Sequence, residues 1–210
     1  MTGAPLRPSR LAAWLTGLVL GAALLPGCTP APAPAKETQT AQSAAPATDF
    51  ALIDHNGQPF GLKSLRGTVV MLFFGYSTCP DVCPTTLSKL VRVSRQLGAD
   101  SARVKTLYVT VDPDRDTPAV LKADLGLFRL DALGLTGTRA AVDRVIAQYG
   151  AAYEIVPTPQ SAGKYSVSHS TILYVLDGNG ALQRQFPYEA TADEIASGVR
   201  EVLAGGRAAR

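Results

Sequence analysis

Two cysteines stand four residues apart in Gly75-Tyr76-Ser77-Thr78-Cys79-Pro80-Asp81-Val82-Cys83-Pro84, each followed by proline. Thiols at this spacing could form a redox couple, hold a soft metal, act as a peroxidase centre or fill a core. Thiolates favour Cu(I), and imidazole suits copper in either oxidation state. On the first turn of a helix, residues i and i+4 share a face. Their Cβ atoms then lie about 5–6 Å apart, close enough to converge on one ion. Pro80 and Pro84 fit only a loop or a first turn, where a missing amide has no partner to lose. A helix N-terminus also lowers thiol pKa, so metal-ready thiolates form near neutral pH. A disulfide is equally compatible with the spacing, because Cα atoms four apart on a helix are about 6 Å apart.

The elements around the pair read as alternating strands and helices. Val69–Phe74 is a continuous apolar run, as for a strand buried on both faces. After the cysteines, Leu87, Leu90, Val91, Ser94 and Leu97 recur at helical spacing, and Gly98 stops them. Val104–Val111 is a second buried strand. Thr117-Pro118 opens a helix as cap and first-turn proline. Leu133–Thr136 is a short strand. Thr138 starts a helix with Val142, Val145, Ile146 and Tyr149 on one face, ended by Gly150. Ile172–Leu176 and Leu182–Phe186 flank Asp177-Gly178-Asn179-Gly180, a hairpin signal. Thr191 with Glu194 forms a capping box on a last helix. Phe50–Asp54 alternates weakly before the turn signal Asn56-Gly57. This order predicts an α/β fold, a mixed sheet with helices on both faces. It sets the cysteines at a strand-to-helix junction.

The chain has 210 residues, 46% hydrophobic and 18% charged, which suits one globular domain with additional non-globular sequence. Net charge is +3, and Arg7 and Arg10, in a stretch without acids, supply two of those charges. The balanced remainder excludes an electrostatic case for nucleic acid. Residues 1–27 read as a lipoprotein signal peptide: a basic start, the apolar run Leu11–Leu25, then Leu25-Pro26-Gly27-Cys28. Cys28 is the expected lipidated N-terminus and membrane anchor, although Pro26 is not the usual small residue. The alternative is a single N-terminal transmembrane helix, at the short limit for a span. Either places the domain in an oxidising, extracytoplasmic space. Residues 28–48, rich in proline, alanine and threonine, predict a flexible tether of roughly 25 Å root-mean-square reach. The folded domain is expected over 49–204, with a disordered tail at 205–210.

GYSTCPDVCP is followed by Val111-Asp112-Pro113-Asp114-Arg115-Asp116-Thr117-Pro118, and then by Val167-Ser168-His169-Ser170 before a strand. These three motifs, in this order, resemble the SCO/SenC family of copper proteins. The resemblance implies a thioredoxin-like mixed sheet flanked by helices, with an extra N-terminal β-hairpin. It also implies that Cys79, Cys83 and His169 are the copper ligands, for Cu(I) or Cu(II). The implied role is a copper chaperone. It would take copper from an extracytoplasmic donor and deliver it to the cytochrome c oxidase subunit carrying the CuA site, outside the cytoplasm at the bacterial cell membrane. A thiol-disulfide oxidoreductase acting on the oxidase cysteines, or a copper or redox sensor, is the alternative. Ser77 stands where the family usually has threonine, and Ser168 where it usually has aspartate.

Other residues have plainer readings. Alone, His169 would read as a surface histidine, and its motif context reverses this. Asp112 and Asp116 suit equally a turn-and-helix cap or a role at the site. His55 reads as part of a hairpin. Pro157–Ser168 reads as a loop, passive or a gate that moves His169. A thioredoxin would show C-x-x-C and a proline-bearing loop facing it. A peroxiredoxin would carry threonine at position 76, where this chain has Tyr76. Structural zinc needs four ligands, one more than the chain offers.

Overall fold

The structure, a computed structural model, describes residues 49–160 and 164–208. The signal segment 1–27, Cys28 and the tether 28–48 lie outside the described residues. Among those described, no helix is long and apolar enough to cross a membrane.

In chain order the elements are β1 (Ala51–Asp54), β2 (Pro59–Gly61), β3 (Val69–Gly75), α1 (Val82–Leu97), β4 (Val104–Thr110), α2 (Pro118–Leu125) and β5 (Ala132–Thr136). Then follow α3 (Arg139–Gln148), β6 (Tyr153–Pro157), β7 (Tyr165–His169), β8 (Leu173–Leu176), β9 (Leu182–Phe186) and α4 (Ala192–Ala208). A seven-stranded sheet runs β2-β1-β5-β4-β3-β8-β9, and β6 and β7 form a separate two-stranded ribbon. β3 lies parallel to β4 and antiparallel to β8, so the sheet is mixed. All seven residues of β3 are buried, as a run without polar interruptions requires of an interior strand. The N-terminal hairpin closes through Asp54, whose carboxylate accepts from the amides of Asn56 and Gln58, each at 2.8 Å.

Strand alternation divides the helices between the two faces. Met71 lines a cavity with Ser94 and Leu97 of α1, alternation puts Phe73 on the same face, and α1 and α4 pack on each other. Phe74 faces the other way and meets Tyr149, just past α3, with ring centroids 6.0 Å apart. The expected caps form. Thr117 accepts from the Val120 amide at 3.3 Å and Thr138 from the Ala141 amide at 3.2 Å. Thr191 and Glu194 exchange bonds at 3.2 and 2.8 Å.

Three expectations are corrected. Pro157–Ser168 is not a loop, because β7 occupies its second half and pairs with β6 from Tyr153↔His169 to Pro157↔Tyr165. The polar content of the stretch suggested a loop, while Tyr165-Ser166-Val167-Ser168-His169 alternates as a strand does. His169 accordingly ends a strand rather than starting one. At the C-terminus α4 runs to Ala208, into the segment read as a tail. Ala204 and Ala208 favour helix there, offsetting the cost of Gly205 and Gly206, about 1 kcal/mol each relative to alanine.

Candidate metal centre

The centre lies at the C-terminal ends of the parallel strands β3 and β4, the usual position for chemistry in α/β sheets. β3 ends at Gly75, and residues 76–81 lead into α1. The Cys79 amide donates to the Tyr76 carbonyl at 3.1 Å, which folds this lead-in back on itself. Cys83 is the second residue of α1, whereas Cys79 precedes the helix. The two are therefore not on one helical turn as the spacing suggested. They converge because the Cys79 sulfur turns back to accept from the Cys83 amide at 3.4 Å. Asp81 holds the N-cap position without making a side-chain cap bond. The sulfur of Cys79 thus serves one of the orphan amides of the first turn.

His169 reaches the cysteines from the far end of the chain. Its Nδ1 lies 2.9 Å from the Ser170 carbonyl oxygen. A carbonyl only accepts, so this contact puts the ring proton on Nδ1 and leaves Nε2 with a bare lone pair. Nε2 faces the Cys83 sulfur at 3.6 Å. Phe73 and Tyr76 meet the imidazole edge-on at 6.2 and 5.7 Å and hold its plane. Strand alternation sends Ser168 to the opposite side, where it is exposed. A side chain at that position does not orient the imidazole in this chain. The Ser170 carbonyl does.

The ribbon carrying His169 is tied down at several points. Ala152 and Ser170 bond each other twice at its base, each at 2.9 Å. The Val167 amide donates to the Tyr76 hydroxyl at 3.4 Å. The Tyr165 hydroxyl donates to Asp112 at 2.9 Å, and Arg115 donates to the Tyr165 carbonyl at 3.0 Å. The Arg115 guanidinium also lies 3.8 Å over the Tyr165 ring and pairs with Asp112. A free gate would lack these ties.

Asp116 fixes the lead-in on the other side. It is fully buried. Its carboxylate accepts from the Ser77 amide at 3.1 Å, from the Ser77 hydroxyl, and from the Thr110 hydroxyl at 2.6 Å. Burial pushes its carboxyl above the usual range, and the Ser77 and Thr110 donors pull it back. Asp112 and Asp116 thus act through other residues, one on the ribbon and one on the lead-in. His55 stays outside the centre, accepting from the Gly134 amide at 3.2 Å.

Cys83 is buried, while Cys79 and His169 are half-exposed. One donor atom from each of the three lies within 4.8 Å of the others. Bonds of about 2.0–2.3 Å to one ion separate its donors by at most about 4.6 Å, so a small inward shift brings all three onto it. Two sulfurs and one imidazole suit copper, and three donors suit a low coordination number.

The thiols differ. Cys79 is held far below the ordinary thiol range, chiefly by a hydrogen bond from the Cys83 thiol, with the amides of Asp81 and Cys83 adding to it and burial opposing. Cys83 is pushed upward by the neighbouring Cys79 and by burial. In the reduced, metal-free protein, iodoacetamide should therefore label Cys79 and spare Cys83. The rate should stay flat from pH 8 down to 5, where an ordinary thiol slows about tenfold per unit. Peptide mass spectrometry measures both, and a tenfold fall per unit at Cys79 would contradict the assignment.

A seven-stranded mixed sheet with a dithiol at a strand-to-helix junction defines a thioredoxin-like domain, and the facing imidazole makes the junction a candidate metal centre. The SCO1/SenC family model matches residues 38–204, and the chain belongs to that family. It is 34% identical over 147 residues to an SCO2-like protein of Rickettsia felis, covering 70% of this chain and 72% of that one. It is similar to Bradyrhizobium japonicum ScoI, solved with copper bound, at 37% identity and a TM-score of 0.69, over 76% of this chain and all of that one. Yeast Sco1 with copper bound matches at 32% identity and a TM-score of 0.68, covering 75% and 88%.

Proposed function

We propose that Cys79, Cys83 and His169 together bind one copper ion, and that this protein passes copper to the CuA site of cytochrome c oxidase. In this reading copper is cargo. Lipidated Cys28 and the tether hold the domain at the extracytoplasmic face of the membrane, within reach of a copper donor and the oxidase. The observation that carries the reading is the bare Nε2 of His169 held 3.6 Å from the Cys83 sulfur. Relatives solved with copper support it. The half-exposed Cys79 and His169 give an acceptor's ligands access to the ion, while Cys83 anchors it from beneath.

A second reading has the dithiol reduce the oxidase cysteines, and the unequal thiols favour it. In that case the accessible Cys79 thiolate attacks and Cys83 resolves. Copper transfer and disulfide reduction measured side by side, with purified oxidase CuA domain, separate the two. His169→Ala should lower copper affinity about tenfold or more and leave the disulfide free to form and break. Under the chaperone reading, oxidase assembly in cells carrying this variant fails at low copper and recovers when copper is added. Normal assembly at low copper in these cells, with failure of either cysteine variant, would replace copper delivery with thiol reduction.

A further inference from the structure

Behind Cys83, on the side away from solvent, lies a group that the copper reading does not use. Tyr108 sits in the middle of β4 and is fully buried. Its hydroxyl has no hydrogen-bond partner among the described residues. A buried hydroxyl without a partner is destabilising, so its presence in an apolar strand calls for a reason. Phenylalanine would fill the same space at no such cost.

The surroundings of the hydroxyl supply one. A Cβ built on Gly75 would lie 2.7 Å from the Tyr108 hydroxyl oxygen and 2.8 Å from the Cys83 sulfur. The two atoms are therefore neighbours across the space left by the missing side chain at position 75. In this state they interact across that space without the geometry of a full hydrogen bond. The sulfur here turns toward Cys79 and His169, and a neutral thiol is a weak acceptor. A thiolate is a strong one. A metal-bound Cys83 carries that negative charge in a place that water does not reach.

We propose that the Tyr108 hydroxyl completes a hydrogen bond to the Cys83 sulfur whenever that sulfur carries negative charge, either as a metal-bound thiolate or through the proton it shares with Cys79 in the reduced dithiol anion, making Tyr108 a positioning and tuning residue for the centre. Hydrogen bonds to a ligating cysteine sulfur adjust the potential and affinity of a copper site. This bond favours the charged sulfur over the disulfide sulfur, a poorer acceptor. It therefore biases the pair toward the reduced, metal-binding form. The inference deepens the copper reading, but its redox arm requires no metal.

Tyr108→Phe tests it, removing one oxygen and keeping the ring. The first measurement equilibrates the metal-free protein with glutathione. Cys79 and Cys83 lose two protons and two electrons to form their disulfide, and glutathione disulfide takes them up to give two glutathione thiols. The variant should be oxidised about tenfold more readily, a shift of about 30 mV to more negative potential. The second measurement is the absorption of the Cu(II)-loaded protein. The sulfur-to-copper charge-transfer band should move to longer wavelength, because a thiolate relieved of a hydrogen bond gives up its electron more easily. An unchanged potential and an unchanged band, in a variant that binds copper like wild type, would overturn the proposal. Failure of both proteins to bind copper would instead count against the copper reading, with the glutathione equilibrium still deciding the role of Tyr108.

Discussion

Gly75→Ala should lower copper affinity about 100-fold although it removes no donor atom. The added Cβ would lie 2.7 Å from the Tyr108 hydroxyl oxygen, 2.8 Å from the Cys83 sulfur and 2.9 Å from a Tyr108 ring carbon. None of these is the free end of a flexible side chain. Tyr108 is locked in the sheet and Cys83 in the first turn of α1. Something must move, and the sulfur is the lightest obstacle. Its displacement pulls it away from Cys79 and His169. Overpacking of this kind costs about 1–3 kcal/mol of stability, so the domain still folds. Competition against a Cu(I) chelator reads the affinity, and urea denaturation reads the fold. Wild-type affinity in a folded Gly75→Ala protein would show that the sulfur does not need its present position.

Asp116→Ala should destabilise the reduced, metal-free domain by about 2–4 kcal/mol. The carboxylate is the acceptor for the Ser77 amide, the Ser77 hydroxyl and the Thr110 hydroxyl. Alanine leaves these donors without it in a place sealed from water. Asp116→Asn keeps one acceptor oxygen and should recover part of the loss. The gap between wild type and alanine depends on pH. Burial raises the folded-state pKa of Asp116 above its ordinary value, so the carboxyl's contribution is fullest in acid. It declines as pH rises through the folded pKa. Urea midpoints across pH 4–7 should show the two proteins converging toward neutrality. A gap that widens with pH would mean that the donors outweigh burial.

The framework of the molecule could be read from local signals. The uninterrupted apolar run of β3, the threonine caps and the Asp177–Gly180 turn each report a short-range preference that tertiary packing did not override. The ribbon β6–β7 was obscured because the stretch is long, polar and carries a glycine in its sequence, although the two-residue alternation of Tyr165–His169 pointed to a strand. The grouping of Cys79, Cys83 and His169 was legible through their motifs. Their support was not. Asp116 meets Ser77 across 39 residues and Tyr165 meets Asp112 across 53, separations at which composition and periodicity are silent. Tyr108 looks from sequence like any aromatic residue in a buried strand. Its character comes from Gly75, two residues beyond its partner Phe73 on the neighbouring strand β3.

The sulfur of Cys83 and the imidazole of His169 are 86 residues apart in the chain, whereas Cys79 and Cys83 are four apart. A permanent cross-link closing a loop the size of the first removes chain entropy from the unfolded state worth about 4–5 kcal/mol. A loop of four residues restrains little more than its own turn. An ion shared by the thiols and the imidazole therefore ties helix α1 to the ribbon at the other end of the sequence. A disulfide between the thiols releases that tie. Loading and oxidation thus have opposite mechanical consequences for one domain. A metal-loaded form should melt later and fray less along β6 and β7, and the oxidised form should leave the ribbon dependent on its own hydrogen bonds.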